Sequence, residues 1–325
     1  MRVNTGRLVK GTALLLAIAA AAVVAPGVNS YLLYVLNLTL INAIAAMGLV
    51  VLSGVAGQIS LGTAGLLATG AYGTGMLMVH MGLGFVLAAV GGTIVTTLLG
   101  TALAAPALRL SGLHLAIVTL AFGVIVVQLI GKGGPLTGGM SGLFLPPISI
   151  FGWTVTTEAR KFVCILIPFC MVAVVCVNFL SLKPGRALFA LRDHESTAQA
   201  MGINTNAYKA LAFALSSLLA GLAGALYAML KGYVSVDDFT LWNSLYFFVM
   251  IAVGGMTSIF GAVLGAAAVT ILPESLRGFQ DASQAVFGVV LMLIIIFMPG
   301  GLVSLLRRSA FADVLAWLRR AKGHR

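Results

Sequence analysis

Few residues in this sequence are suited to acid, base, nucleophilic or metal chemistry, and their spacing does not bring them together. The four histidines are scattered along the chain. Cys164, Cys170 and Cys176 recur every six residues, which turns each about 240° from the last on a helix, so they share no face. No G-x-x-x-x-G-K-[ST], H-E-x-x-H or G-x-S-x-G motif occurs. The sequence predicts no active site, no metal site and no cofactor on this chain.

The composition is that of a membrane protein. Of the 325 residues, 60% are hydrophobic and only 8% are charged, whereas soluble chains carry roughly 25% charged residues. Residues 11–108 contain no Asp, Glu, Lys or Arg. Several helices of roughly 20 apolar residues, the length that crosses a bilayer, fit into that stretch. The predicted fold class is all-α, a polytopic transmembrane helical bundle.

The basic residues indicate the orientation of that bundle. They cluster in residues 1–10, in the polar interval 183–209 and in the tail 307–325. Basic clusters beside apolar runs mark the cytoplasmic side of a membrane protein. Both termini and the interval 183–209 are therefore predicted to be cytoplasmic, and the net charge of +11 does not indicate a nucleic-acid partner. The first apolar run resembles a signal peptide, but further spans follow at once, so it is interpreted as the first span.

Eight apolar runs predict membrane spans. The region 244–276 is also apolar but is interrupted by glycines, so it is either a re-entrant hairpin or two short crossings, for a total of eight or ten spans. All eight acidic residues lie in loops, at span ends or in the interval 183–209. Ion-coupled carriers commonly need an ionisable group within the membrane, so an external energy source is favoured over a secondary carrier. The eight runs lie near residues 11–27, 31–52, 62–80, 84–107, 112–131, 161–181, 209–230 and 284–305.

Two glycine-rich segments, 53–65 and 253–267, interrupt the apolar pattern with a similar rhythm of Gly and Ser. Non-helical backbone at membrane depth persists only where protein or a water-filled cavity satisfies it. A discontinuous helix that lines a pathway is one interpretation of residues 53–65, and a short cytoplasmic turn is the other. The path residues predicted from both segments are Gly57, Gln58, Ser60, Gly62, Gly254, Gly255 and Ser258.

The two longest loops predicted outside the membrane are 132–160 and 231–243. The former carries turn-forming glycines and prolines throughout, and a loop of this kind could cap a pathway. Its candidate residues are Thr137, Gly138, Gly139 and Ser141.

The interval 183–209 is predicted to hold one short helix. Pro184 and Gly185 end the preceding span, and Asp193 is suited to be the N-cap of a helix. Gly202 stands where a left-handed C-terminal glycine belongs. A plain connecting loop is the alternative, because a helix of this length is marginal alone in water.

Several motifs resemble the branched-chain amino acid ABC transporter permease family, in its larger-type inner-membrane subunit. The similar segments cover most of the chain between about residues 31 and 305. Val124 stands where relatives often have an acidic residue, so any role of that carboxylate does not transfer. The matching segments are 52–72, 109–123, 136–143, 185–228 and 253–277.

The resemblance implies a bacterial inner-membrane importer of branched-chain or other small amino acids. Its partners would be a second permease subunit, two cytoplasmic ATPase subunits that bind ATP and Mg²⁺, and a periplasmic substrate-binding protein. Residues 1–306 would form the permease domain, 307–325 a cytoplasmic tail, and a related permease for urea or short amides is the alternative. A helix within 192–202 would couple to the ATPase through Arg192, Asp193, Glu195, Ala198 and Gly202.

Overall fold

The computed structural model describes residues 29–275, except 109, 111 and 151, and parts of 288–304. The predicted runs from 31–52 to 209–230 all form helices, whereas the run 11–27, most of 284–305 and the tail 307–325 lie outside the described residues. The helices are α1 Ser30–Leu49, continued by a π-helical turn Val50–Val55, α2 Thr63–Met81, α3 Phe85–Ala107, α4 Gly112–Lys132, α5 Glu158–Ser181, α6 Lys183–Asp193, α7 Glu195–Ala200, α8 Thr205–Lys231, α9 Leu241–Gly254 and α10 Ile259–Ser275.

Five helices of the described part are long and apolar enough to cross a membrane, namely α1 with its π turn, α3, α4, α5 and α8. The helix α2 forms where a span was predicted but is not among these five. Its glycines, alanines and threonines lie buried against other helices, so they need not be strongly apolar. The helices α9 and α10 are apolar but shorter. The structure thus confirms the predicted all-α class, a multi-pass helical protein with little sheet, while the total of eight or ten spans stays a prediction.

Small residues bring the long helix α8 into contact with its neighbours. Gly221 lies against Gly70 of α2 and Thr96 of α3, where an added Cβ would overlap the neighbouring atoms. Ser217, one turn earlier, faces Gly100 of α3. Apolar helices in lipid gain little from hydrophobicity alone, so close backbone approach through small residues holds them together. Ser217 and Gly221 therefore form a packing seam of α8 against α2 and α3.

One end of the bundle, which we call the loop end, is formed by residues 133–157 and 232–240. It holds two 3₁₀ turns, Gly139–Ser141 and Val236–Phe239, and four two-residue strands. The strand β1 pairs with β4 in the register Leu143↔Val234, and β2 pairs with β3. The first pairing joins the loop after α4 to the loop after α8. The strands are β1 Leu143–Phe144, β2 Ser149–Ile150, β3 Trp153–Thr154 and β4 Tyr233–Val234.

The opposite end, which we call the α6–α7 end, carries two helices where one was predicted. Asp193 is the last residue of α6, so its assignment as an N-cap was wrong, and His194 takes that position without a side-chain cap. Pro184 lies in the first turn of α6, where its missing N–H costs nothing. This is why the residues that end α5 also begin a new helix. Gly202 has φ +81° and donates its N–H to the Gln199 carbonyl, which confirms the predicted C-terminal glycine.

Candidate functional site

The two glycine-rich segments meet inside the bundle. We call residues 56–62 the first break and 255–258 the second break. Gly57 and Gly255 have φ of +71° and +123°, backbone conformations that L side chains rarely adopt. A Cβ added to Gly54, just before the first break, would overlap the Met256 carbonyl of the second. The π turn that leads into the first break is therefore in direct backbone contact with the second break, a meeting that the sequence indicated only through the similar Gly and Ser spacing of the two segments.

The second break folds α9 and α10 against each other. A Cβ at Gly254 would overlap the Gly261 carbonyl, and one at Gly265 would overlap the Met250 carbonyl. Gly261 and Gly265 thus form a packing seam between α9 and α10. The Leu302 N–H donates to the Val253 carbonyl at 2.8 Å. A residue near the end of the described chain therefore also contacts the end of α9, just before this break.

The first break lies within the bundle. The Leu61 N–H donates to Thr119 Oγ1 at 3.0 Å, and Thr119 stands seven residues into α4, about 10 Å along its axis. The Ala64 N–H donates to Ser244 Oγ of α9 at 3.1 Å. Thr119 and Ser244 were missed in the sequence, where isolated hydroxyls in apolar runs carry no signal. These bonds favour a discontinuous helix over a turn outside the bundle.

Ser53, in the π turn just before the first break, satisfies part of the backbone of the break. Ser53 Oγ donates to the Gln58 carbonyl at 3.0 Å and accepts from the Ser60 N–H at 3.2 Å. Gln58 and Ser60 are only 6% and 3% exposed. Among the described residues, Gln58 Oε1 is buried without a hydrogen-bond partner. The break is thus a built element whose polar groups are mostly met by protein, as non-helical backbone at membrane depth requires.

Arg192 joins the α6–α7 end to the first break. Although Arg192 is an exposed residue at the end of α6, its Nη1 donates to the Gly54 carbonyl at 2.7 Å. A Cβ at Gly57 would lie 3.1 Å from Arg192 Cγ. A residue predicted for coupling therefore touches two glycines that belong to, or directly precede, the predicted path segment.

A second link ties α7 to α8. Glu195 Oε1 lies 2.6 Å from Lys209 Nζ, and the Lys209 side chain is only 3% exposed while that of Glu195 is 42% exposed. The sequence interpretation used Lys209 only as an orientation marker. Ala198 is buried, and Asp193 and Gly202 are exposed. Three of the five predicted coupling residues thus bond to or pack against other parts of the bundle, namely Arg192, Glu195 and Ala198. The other two, Asp193 and Gly202, lie at the surface.

Two cavities lie between the breaks and the loop end. Cavity 1, about 370 Å³, is bounded by α1, α9 and α10, and its polar wall includes Asn42, Asp238 and Thr270. Cavity 2, about 390 Å³, lies between α4, α9 and the start of α2, and its wall includes Gln128 and Asp237. Ala64 and Phe239 line both cavities. None of the seven predicted path residues lines either one.

The 3₁₀ turn Val236–Phe239 separates the two cavities. Phe239 is buried and packs edge-on against Tyr72 and Tyr227, with ring centroids 6.2 and 5.6 Å away. Ser235 begins the turn with a capping box that involves Asp238. Asp238 Oδ1 also pairs with Lys231 Nζ at 2.7 Å. The turn is therefore held in place from both of its ends.

The four loop residues predicted from turn chemistry shape the loop end. Thr137 Oγ1 donates to the Ile130 carbonyl at 2.7 Å and accepts from the Gly139 N–H at 3.2 Å. Gly138 and Gly139 have φ of +75° and +58°. The Ser141 carbonyl accepts a 2.7 Å hydrogen bond from the Tyr233 hydroxyl. These contacts fold the loop onto α4 and β4.

Within the described part of the chain, no group of three or more His, Cys, Asp and Glu residues could hold a metal ion.

The chain matches the family described as "Branched-chain amino acid transport system / permease component" over residues 31–299. The chain belongs to this family. The resemblance inferred from the motifs is thereby confirmed, and the chain is a multi-pass inner-membrane permease of the ABC transporter type.

Similar individual proteins are also transport permeases by name. The chain is 32% identical over 295 residues to the high-affinity branched-chain amino acid transport system permease protein LivM of Escherichia coli K12, covering 83% of this chain and 69% of that protein. It is 26% identical over 236 residues to a probable LivM of Methanocaldococcus jannaschii, covering 67% and 68%. It is 33% identical over 131 residues to the probable ABC transporter permease protein YphD of E. coli K12, covering 36% and 39%. No solved structure matches the chain.

Proposed function

We propose that this permease is the transmembrane subunit of an ATP-driven importer of branched-chain and other small aliphatic amino acids. It works with a second permease subunit, two cytoplasmic ATPase subunits that bind ATP and Mg²⁺, and a periplasmic binding protein. The observation that carries the proposal is the hydrogen bond between Arg192 and Gly54, which joins the helix pair α6 and α7 to the π turn before the first break. The names of the LivM relatives support the substrate class.

The helix α7 provides the docking surface for an ATPase subunit. Its buried Ala198 and its ion-paired Glu195 hold it on this chain. Ser196, Thr197 and Gln199 are exposed, and Met201 directly after the helix is 80% exposed. An exposed, flexible apolar side chain at the tip of a fixed helix suits an apolar pocket on a partner. Met201 is thus the proposed anchor.

Movement of the docked ATPase reaches the membrane through the two links. The Glu195–Lys209 ion pair transmits force to α8. Arg192 transmits it to the carbonyl of Gly54, in the π turn where the α-helical bonding pattern is already interrupted. Such π turns inside α-helices are frequent at functional sites. The first break is therefore the part of the bundle that changes shape.

The described form is open toward the loop end. The backbone contact between Gly54 and Met256 closes the α6–α7 end. The predicted path residues line neither cavity but lie in the two segments that meet there, namely Gly57, Gln58, Ser60, Gly62, Gly254, Gly255 and Ser258. Both cavities lie on the other side of this contact. Phe144 and Trp153 are exposed at the loop end, and Trp242 is exposed beside it at the start of α9. Aromatic side chains there suit contact with the binding protein. Substrate enters there and passes the breaks when they separate.

The docking proposal is tested by Met201→Asp, with Met81→Asp as a matched control, because Met81 is 69% exposed on a different helix. Both variants are purified with the ATPase subunits and assayed for ATP-dependent leucine uptake in proteoliposomes with the binding protein. We expect Met201→Asp to lose ATPase association and to reduce uptake at least tenfold, while Met81→Asp retains both. Normal association of Met201→Asp would contradict docking at α7, and uptake by the wild type without ATP would contradict the proposed function.

A further inference from the structure

Cavity 2 combines apolar walls with one carboxylate. Leu61, Leu120, Val127 and Leu241 form much of its wall. Asp237 is the only charged residue that lines it among the residues that the structure describes. Small-molecule pockets start at about 300 Å³, so a cavity of about 390 Å³ accommodates a small ligand. A carboxylate beside apolar walls matches a ligand with one cationic group and an aliphatic body.

The carboxylate of Asp237 is available, in contrast to that of its neighbour. Asp238 is engaged by Lys231 and by the Ser235 N–H. Asp237 uses its backbone N–H to donate to Ser235 Oγ, but within the described residues its side chain has no hydrogen bond or ion pair. Asp237 is an exposed residue at this wall, so its carboxylate is accessible to a ligand. An unpaired carboxylate gains more from an incoming cation than one that is already paired.

The position of Asp237 is fixed by the turn that carries it. Val236 and Phe239, on either side of the acidic pair, are buried. The capping box at Ser235 and the Lys231 ion pair hold the same turn. A binding group on an anchored turn loses little conformational entropy when a ligand binds. The carboxylate of Asp237 is therefore a preorganised hydrogen-bond acceptor on an anchored turn.

We propose that cavity 2 is an amine-binding subsite and that Asp237 accepts the ammonium group of a small aliphatic ligand. The other polar side chains of the wall are Gln128, Thr240 and Ser244, and Ser244 Oγ already accepts from Ala64. The Gln128 amide and the Thr240 hydroxyl are left for a second polar group of the ligand. Because it rests on the proposed function, this inference adds that the permease itself selects for the amine, independently of the binding protein.

The test compares two probes that each carry half of leucine. Isopentylamine has the ammonium group without the carboxylate, and 4-methylpentanoate has the carboxylate without the amine. Binding of each probe to the purified transporter complex in lipid nanodiscs is measured by saturation-transfer NMR, for the wild type, Asp237→Asn and Asp237→Glu. Asn keeps the size of the side chain and removes the charge, whereas Glu keeps the charge.

We expect the wild type to bind isopentylamine at least tenfold more tightly than 4-methylpentanoate, since charge-assisted hydrogen bonds commonly contribute a factor of ten or more. Asp237→Asn should lose that preference, and Asp237→Glu should restore most of it. Equal binding of the two probes to the wild type, or an unchanged preference in Asp237→Asn, overturns the subsite. ATP-dependent leucine uptake is measured separately, so its absence counts against the proposed function and not against the subsite.

Discussion

The two ends of the bundle use opposite means to control distance between helices. At the α6–α7 end, the absence of a side chain at Gly54 lets the π turn before the first break touch the backbone of the second break at Met256. At the loop end, the aromatic ring of Phe239 and the capped turn that carries it stand between α2, α4 and α9, and a cavity lies on each side. Closed and hollow regions therefore arise in one bundle from the sizes of a few side chains.

The largest expected effect comes from adding one methyl group at the closed end. Gly54→Ala would place Cβ in overlap with the Met256 carbonyl, so the breaks must separate. Overpacking of this kind costs about 3 kcal/mol, and we expect a lower thermal unfolding midpoint and a loss of uptake of more than tenfold. Thermal unfolding of the purified complex, followed by tryptophan fluorescence, measures the first effect.

Gly84→Ala is the matched control for that change. Gly84 precedes α3 with φ −60°, and a Cβ there meets nothing within 4 Å. This variant should unfold and transport as the wild type does. If Gly54→Ala behaved like Gly84→Ala, the contact between the two breaks would not close the α6–α7 end.

A smaller effect is expected at the ion pair between α7 and α8. Glu195→Gln leaves the buried Lys209 ammonium without its carboxylate, whereas Lys209→Met leaves a partly exposed carboxylate that water can solvate. We expect Glu195→Gln to cost about 2 kcal/mol and Lys209→Met less than about 1 kcal/mol, because an uncompensated buried charge is the costlier defect. Denaturation midpoints of both single variants and the double variant measure this asymmetry.

The double variant should recover most of the stability lost in Glu195→Gln. Equal losses in the two single variants would mean that Lys209 is solvated and that α7 is not anchored through a buried charge. The matched pair therefore tests how firmly the docking helix is attached to the bundle.

The sequence was sufficient for the positions of most helices, because apolar runs bounded by glycines and polar residues report directly on burial. It was sufficient for Gly202 as well, since a left-handed helix end favours glycine for local reasons. It failed at Asp193, where Pro184 could either end a helix or begin one. The choice depended on how α6 packs through buried Leu188 and Leu191, which local propensity does not record.

The contacts of the site were less predictable because they join residues far apart in the chain. The spacing of the glycines predicted both breaks, but it does not predict the contact between Gly54 and Met256. The bonds from Leu61 to Thr119 and from Ala64 to Ser244 depend on the registers of α4 and α9. The cavities are likewise products of packing, and Asp237 looked like an ordinary loop carboxylate in the sequence.

The smallest expected effect tests the attachment of the first break to α4. Thr119→Val removes the oxygen that accepts the Leu61 N–H and leaves that donor unpaired, at a cost of about 1 kcal/mol. Thr97→Val is the control, because the Thr97 hydroxyl donates to the Thr93 carbonyl within its own helix. Hydrogen exchange at Leu61, measured by mass spectrometry, should rise in Thr119→Val and stay unchanged in Thr97→Val. Equal exchange at Leu61 in both variants would show that Thr119 does not hold the break.

The coupling of the helix pair α6 and α7 to the contact between Gly54 and Met256 is tested most directly at Arg192. Arg192→Ala removes the hydrogen bond to the Gly54 carbonyl, while Arg186→Ala removes an exposed positive charge from the same helix. ATP hydrolysis and leucine uptake are measured together in the reconstituted transporter. Arg192→Ala is expected to hydrolyse ATP within about twofold of the wild type but to move at least tenfold less leucine per ATP, since broken hydrogen bonds to charged groups commonly cost such a factor, while Arg186→Ala keeps the wild-type ratio. An unchanged ratio in Arg192→Ala, or an equal loss in both variants, would contradict the account.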